Sequence, residues 1–373
     1  MQLVCIPETF SSTLSASRIK AMLTGVLDAL EPGSTVRSLN LELVGSGLLE
    51  SARDALGGQY VVMPVLGPCG VPVSARYLSA GDTAVIAGSE ACGMQLRQPG
   101  FSALNTSSYG VGELIGHALA AGHKHVIVSL SGLCCADAGC GLAAALGVRF
   151  LNRQGRPFIP MGASLTQIGQ IQPNRFFLSP NAHTITVLAE SHETLSAPQS
   201  LLAAVGAEQG VNAEQVASLE AGLRHFADIV RRQGGEKLMG LAGGLTGGAA
   251  LAGMRALLYA KVELDPQSLL TKEDSSAQFS GADLIVAAIP ELSLQSLSEG
   301  FLAKSLAQKA RTPLVLVTRR QPENAADYYA AGVSAIFSIL PSGCDTQTVA
   351  REDLALKAVL ENVLRLQASV RGA

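Results

Sequence analysis

Apolar positions along this chain fall into two spacings. Near-continuous runs of strand length, such as residues 3–6, 61–66, 284–289 and 314–317, alternate with segments in which apolar residues recur every three or four positions. Uninterrupted runs predict strands buried on both faces, and the wider spacing predicts amphipathic helices. At the N-terminal end this reads as a strand over 2–6, a helix over 15–30 and a strand over 35–41. The helix carries Ile19, Met22, Leu23, Val26, Leu27 and Leu30 at helical intervals. At the other end the reading is a strand over 282–289, a helix over 300–310 and a strand over 314–318. A short helix over 324–331, a strand over 335–340 and a closing helix over 351–370 follow. Strand–helix alternation of this kind implies a parallel sheet covered on both faces.

The middle of the chain follows another pattern. Residues 59–68 and 71–77 read as paired strands around a Gly67-Pro68-Cys69-Gly70 turn. Strands over 82–88, 125–130 and 184–190 and helices over 111–121 and 139–146 add a second α/β region. A long amphipathic helix over 213–233 places Val216, Leu219, Leu223, Phe226 and Val230 on one face. The expected organisation is one α/β domain built from 1–60 and 277–373, with a mixed α/β domain, 61–276, inserted between its halves.

Composition narrows the function classes. At 373 residues the chain exceeds one ordinary core, and 48% hydrophobic against 15% charged residues leaves ample material for two. Net charge is −3 and basic residues do not cluster, so nucleic acid is not an expected partner. No apolar run reaches membrane-spanning length, and the first residues lack the pattern of a secretion signal, so a cytoplasmic location is expected. The seven cysteines are odd in number and sit mostly in apolar segments, which reads as reduced, buried thiols. The run Cys134-Cys135 followed by Cys140 invites a metal reading, but no histidine stands at a ligand spacing, and no metal-ligating set is expected.

No P-loop, nucleophile elbow or His-Glu-x-x-His motif is present. Three loops remain. The segment 240–248, Gly-Leu-Ala-Gly-Gly-Leu-Thr-Gly-Gly, precedes an Ala/Leu-rich helix. Its Gly243, Gly244 and Gly247 would either cradle a phosphate with backbone N–H groups or permit close packing. The segment 129–141 joins a strand to a helix and contains Gly132, Gly139 and one carboxylate, Asp137, which serves as a helix cap, or as a general base or metal-binding group. The segment 105–113 offers the hydroxyls of Thr106, Ser107 and Ser108 to an anion or to a helix start. The six histidines are dispersed, and none requires a site.

These segments, in this order and spacing, resemble the two-domain bacterial glycerate kinases over nearly the whole chain. Pro7–Ser17 resembles the family's Pro-Asp-Ser-Phe/Tyr-Lys-x-Ser-Leu-Ser-Ala opening. Thr106–Ile115 resembles its Thr-Ser-x-Gly-Thr-Gly-Glu-Leu-Ile segment, and Val126–Leu146 its Gly-Gly-Ser-Ala-Thr-Asn-Asp-Gly-Gly segment. Gly240–Gly253 and Gly332–Ile339 resemble the family's glycine-rich loop and closing strand. The resemblance implies a flavodoxin-like parallel-sheet domain formed by both chain ends and an inserted α/β domain. It implies transfer of the ATP γ-phosphoryl group to glycerate with magnesium, and a small-molecule ligand in the cleft between the domains. A homodimer is left open.

The departures from the family pattern run in one direction. Glu8 stands at the family's Asp and Ser11 at its Lys. Asp-Gly-Gly-Glu-Gly-Thr is replaced by Leu43-Val44-Gly45-Ser46-Gly47-Leu48, and a family Glu by Ala87. Thr-Asn-Asp-Gly-Gly is replaced by Cys135-Ala136-Asp137-Ala138-Gly139, the Cys-Asp-Val segment by one containing Glu190, and a lysine by Gln209. Thr-Gly-Glu-Gly-x-x-Asp is replaced by residues 287–293, Ala-Ala-Ile-Pro-Glu-Leu-Ser. Phosphoryl transfer needs cationic groups on the phosphate, carboxylates for magnesium and a proton acceptor. Losing one such element costs about 3 kcal/mol or more of barrier. The expectation is a catalytically impaired or inactive homologue with a binding or regulatory role. The alternative is an active glycerate or related hydroxy-acid kinase, using ATP and magnesium. On either reading the catalytic candidates are Asp137 and Glu190. The binding candidates are Glu8, Ser11, Gly45, Gly47, Thr106, Ser107, Ser108, Gly132, Gly139, Gly243, Gly244 and Gly247.

Overall fold

The fold is described from a computed structural model covering residues 1–8, 10, 14–38, 47–174, 183–189, 194–196, 210–264, 279–292, 312–340 and 352–371. The chain divides into two compact units, Met1–Glu42 with Gln267–Ala373, and Leu43–Pro266. The first division falls before helix Leu48–Leu56, not after it as the sequence suggests. That helix buries Leu48, Leu49 and Ala52, packs on strands of the second unit, and its Glu50 carboxylate lies 2.8 Å from Arg76 there.

The first unit is a five-stranded parallel sheet. Its strands are β1 (Gln2–Pro7), β2 (Thr35–Ser38), β12 (Leu284–Ala288), β13 (Leu314–Thr318) and β14 (Ala335–Ser338), in the order β14-β13-β12-β1-β2. Counted within the unit this is 2-1-3-4-5, the flavodoxin-like order. The apolar runs explain the two-sided burial. Leu3 and Cys5 of β1, with Leu284, Val286, Val315 and Val317, face a core shared with helices Ala16–Leu30 and Glu352–Arg371. Val4 and Ile6, with Ile285, Leu314 and Leu316, face a second core with Phe279, Tyr328 and Val333. The period-two alternation of side chains across the strands divides each apolar run between the two layers. Ser15 caps the first helix by accepting the N–H of Arg18 at 3.4 Å. The expected helix over 300–310 lies outside the described residues.

The second unit holds a six-stranded mixed sheet. Its strands are β3 (Gln59–Leu66), β4 (Pro72–Ala80), β5 (Thr83–Ala87), β6 (His125–Ser129), β10 (Thr184–Leu188) and β11 (Lys261–Glu263), in the order β11-β10-β6-β5-β4-β3. The strands β5, β6, β10 and β11 run parallel, and β4 pairs antiparallel with both β3 and β5. The sequence reading lacks a small antiparallel sheet of β7 (Arg149–Asn152), β8 (Pro157–Phe158) and β9 (Ile168–Gln172). These strands are too short for a periodicity to show.

Candidate functional site

In open α/β sheets ligands bind beyond the carboxyl ends of parallel strands, at the point where strand order reverses. In the first unit that point lies between β1 and β12. Glu8 follows β1, is half-buried, and its N–H reaches the Ala288 carbonyl at 2.8 Å. Further along the same edge, at the end of β13, Arg319 donates to Glu352 at 2.9 Å and to the Phe10 carbonyl. Glu352 is 4% exposed and its Oε2 has no hydrogen-bond partner. Ser11, Gly45 and Glu190 lie outside the described residues.

In the second unit the carboxyl ends of β5 and β6 lead into the loops that carry the remaining candidates. The chain from Ser129 returns through Asp137 to a helix, Cys140–Ala145. Beside it stands the start of a helix, Tyr109–Ala120, whose cap residue is Ser108. Asp137 joins the two. Its carboxylate accepts the N–H of Ser108 at 2.8 Å, of Gly139 at 2.9 Å and of Gly141 at 3.1 Å. It also accepts the Ser108 hydroxyl at 2.9 Å, and Ser108 Oγ in turn accepts the N–H of Leu142 at 3.0 Å. Asp137 and Ser108 are 0% exposed. Burial raises the Asp137 carboxyl above its ordinary value, and the donors from Ser108, Gly139 and Gly141 pull it back.

The sequence leaves Asp137 open between cap and base, and the geometry is that of a cap serving two helices. A carboxylate enclosed by four N–H and O–H donors has no face for a substrate hydroxyl. It also does not fit magnesium, since the lone pairs a cation needs point at peptide hydrogens. No cluster of three or more His, Cys, Asp or Glu among the described residues is arranged to hold a metal ion. The N–H groups at the start of helix 140–145, which would otherwise attract an anion, are taken up by Asp137 and Ser108.

The neighbouring hydroxyls also point inward. Thr106 Oγ1 donates to the Cys134 carbonyl at 2.7 Å, and Ser107 Oγ accepts the N–H of Tyr109 at 3.3 Å. Gly132 is exposed and left-handed at φ 66°. Gly47 stands at the start of helix 48–56 without a side-chain cap.

For the glycine-rich loop the packing alternative prevails at the positions nearest the 129–141 segment. A Cβ on Gly247 would sit 2.8 Å from the Leu130 carbonyl, and one on Gly248 would sit 2.1 Å from the Cys135 carbonyl. On Gly253 it would lie 1.9 Å from the Ala138 carbonyl, and on Gly139 2.8 Å from the Ala250 carbonyl. Gly243 and Gly244 are buried in the same loop, where the N–H groups of Gly244, Thr246 and Ala249 bond to loop carbonyls. Glycine here brings two backbones together, and the two loops are one packed body.

Sequence reading misses two groupings. Cys92, 42 residues before Cys134, lies beside it, and the N–H of Cys134 donates to the Cys92 carbonyl at 2.9 Å. The Arg319–Glu352 pair joins two distant segments of the first unit. Neither has a local signal, because the partners are far apart along the chain. Three of the histidines act as structural hydrogen-bonders: His117 with Tyr77, His123 with Ser79 and Gly81, His225 with the Ile168 carbonyl.

An α/β protein with a flavodoxin-like parallel sheet and a second mixed α/β unit is the class these observations define. The glycerate kinase family model matches residues 3–368, and the chain belongs to that family. It is 28% identical over 353 residues to a glycerate kinase of Bacillus subtilis (strain 168), covering 91% of each chain. It is 23% identical to the glycerate 2-kinase of Escherichia coli (strain K12), covering 99% of this chain and 97% of that one. A crystal structure from Salmonella typhimurium LT2, of a protein assigned as glycerate kinase 2, superposes with a TM-score of 0.77 over 100% of this chain at 24% identity, and so shares the fold. Among the described residues no helix is long and apolar enough to cross a membrane.

Proposed function

We propose that this chain is a binding or regulatory member of the glycerate kinase family that does not transfer phosphoryl groups. The observation that carries the reading is Asp137. It is the one polar residue kept from the family's Thr-Asn-Asp-Gly-Gly segment, and its carboxylate is wholly enclosed by donors of its own fold. The losses at Ala87 and across 287–292 support it, because Ala87, Ala287 and Ala288 are buried apolar residues at the carboxyl ends of their strands. Alanine side chains offer neither charge nor hydrogen bond to a nucleotide or a metal. The ligand class that suits the first unit is a small molecule at the β1–β12 edge, the general ligand position of such sheets.

A second reading, an active kinase for glycerate or a related hydroxy acid that uses ATP and magnesium, is favoured by the full-length similarity to proteins named glycerate kinase. One pair of measurements separates the two. Purified protein is assayed for ADP formation with glycerate, ATP and magnesium, and the same mixtures are examined by calorimetry. No turnover is expected. Steady turnover in the ordinary enzyme range, about 1–1000 per second, would refute the binding-protein reading.

A further inference from the structure

The described cysteines differ sharply in their surroundings. Cys5 is enclosed among the apolar side chains of the first unit, and burial pushes its thiol up to about 12, the mark of an inert core residue. Cys92, Cys134 and Cys135 are also buried, but they are neighbours, with the Cys92 thiol donating to the Ser107 carbonyl at 3.4 Å and the Cys135 thiol facing Asp137 Oδ1 at 3.9 Å. Cys92 ends the short helix that follows β5, and Cys134 lies in the loop that follows β6. Gly93 and Leu133 form an antiparallel bridge, and the N–H of Cys134 donates to the Cys92 carbonyl at 2.9 Å. Cys92 and Cys134 therefore stand next to this isolated bridge and are joined by one backbone hydrogen bond, which brings their Cα atoms to roughly the 5.5 Å of a hydrogen-bonded antiparallel pair. That spacing falls within the range that a disulfide spans without backbone movement.

We propose that Cys92 and Cys134 form a peroxide-driven disulfide that staples the loop after β5 to the loop after β6. Cys134 is the attacking sulfur. The neighbouring Cys92 thiol, its own peptide N–H and the Arg97 guanidinium favour the thiolate, and together they outweigh burial to hold it below the ordinary thiol value. The Cys134 thiolate attacks one peroxide oxygen, the O–O bond breaks, and the product is a sulfenic acid with loss of one water. The Cys92 sulfur then attacks the Cys134 sulfur, forming the S–S bond and expelling the second water. Two thiols lose two electrons and two protons, and one hydrogen peroxide is reduced to two waters. Cys140 does not compete. Burial, with the nearby Asp137 carboxylate, holds its thiol well above the ordinary value. The bond would lock together the two loops that carry Cys134, Asp137 and the cap at Ser108, independently of whether the family reaction survives.

The folded full-length protein is treated with hydrogen peroxide, denatured in an alkylating agent and measured by intact and tryptic mass spectrometry. Wild type and Cys135→Ser are expected to lose two hydrogens per molecule and to yield a cross-link between the peptides containing Cys92 and Cys134. Cys92→Ser and Cys134→Ser are expected to yield no cross-link and, for Cys92→Ser, a trapped Cys134 sulfenic acid that dimedone labels. Circular dichroism of each variant before treatment confirms that it is folded. Wild-type protein that keeps every thiol free under peroxide would overturn the proposal. So would a cross-link that persists in Cys134→Ser, since the bond would then belong to Cys135.

Discussion

Asp137→Ala tests the site most directly, because it separates a structural carboxylate from a reacting one. The substitution leaves the N–H groups of Ser108, Gly139 and Gly141 without their acceptor in a region closed to water. Each buried donor left unsatisfied costs about 1–3 kcal/mol, so the three together cost about 3–9 kcal/mol. Removing a desolvated charge returns part of that, and the net loss expected is about 3–5 kcal/mol, the range for breaking one side of a buried ionic network. The chain has no tryptophan, so urea unfolding is followed by far-ultraviolet circular dichroism, with the Leu43–Pro266 transition fitted separately. Amide exchange gives a second readout at Ser108, Gly139 and Gly141, whose protection is expected to fall before that of the β6 strand. The pH dependence has a defined sign. Burial raises the folded Asp137 carboxyl above 3.8, so the folded state holds the proton more tightly than the unfolded chain. The stability this contributes is complete below the unfolded value and is lost as pH rises through the folded one. Asp137→Asn removes that slope, and the gap between wild type and this variant is expected to narrow as pH rises through the window above 3.8. An alanine variant within about 1 kcal/mol of wild type, with the three amides still protected, would refute the capping argument.

Three further outcomes follow from the packing. Ala138 is held left-handed at φ 52°, so Ala138→Gly should raise the melting temperature, with a net gain of about 0.5–1 kcal/mol after the added chain entropy of glycine; a lowered melting temperature would deny the strain. Gly253→Ala would place a methyl group 1.9 Å from the Ala138 carbonyl and is expected to cost about 3 kcal/mol or more in urea unfolding; an unchanged midpoint would mean that the two backbones are further apart. Arg319→Leu strands Glu352, which is 4% exposed, and should destabilise the first unit by about 3–5 kcal/mol. Adding Glu352→Gln should recover much of that loss, and a double variant no better than the single one would show that the ion pair is not the cause.

Much of the architecture was legible from the residues alone. The apolar runs at 3–6, 284–289 and 314–317 could only be strands buried on both faces, and their alternation with helical spacing requires a parallel sheet. The paired strands around Gly67–Gly70 and the long helix near 213–232 were legible for the same reason, since each carries a full period of pattern. Helix 48–56 was missed because nine residues span little more than two turns and carry too few repeats of the pattern, and the domain division moved with it. The glycine-rich loop and Asp137 were found as positions, but each kept two readings. A glycine leaves the same trace in sequence whether a phosphate or a second backbone approaches it.

What the sequence by itself determined is the family, the order of the longer strands and helices, and which polar groups of the family pattern have been replaced. Those properties are local or additive, because burial periodicity and residue identity need no knowledge of neighbours in space. What only the tertiary structure decided is how the kept groups are used. Asp137 turns into the two helix starts, Gly247, Gly248 and Gly253 admit carbonyls of the adjoining loop, and Cys92 meets Cys134 beside a bridge. Each of these depends on a contact between residues far apart in the chain. The direction in which a side chain points, and the partner it finds there, exist only once the sheet has brought those segments side by side.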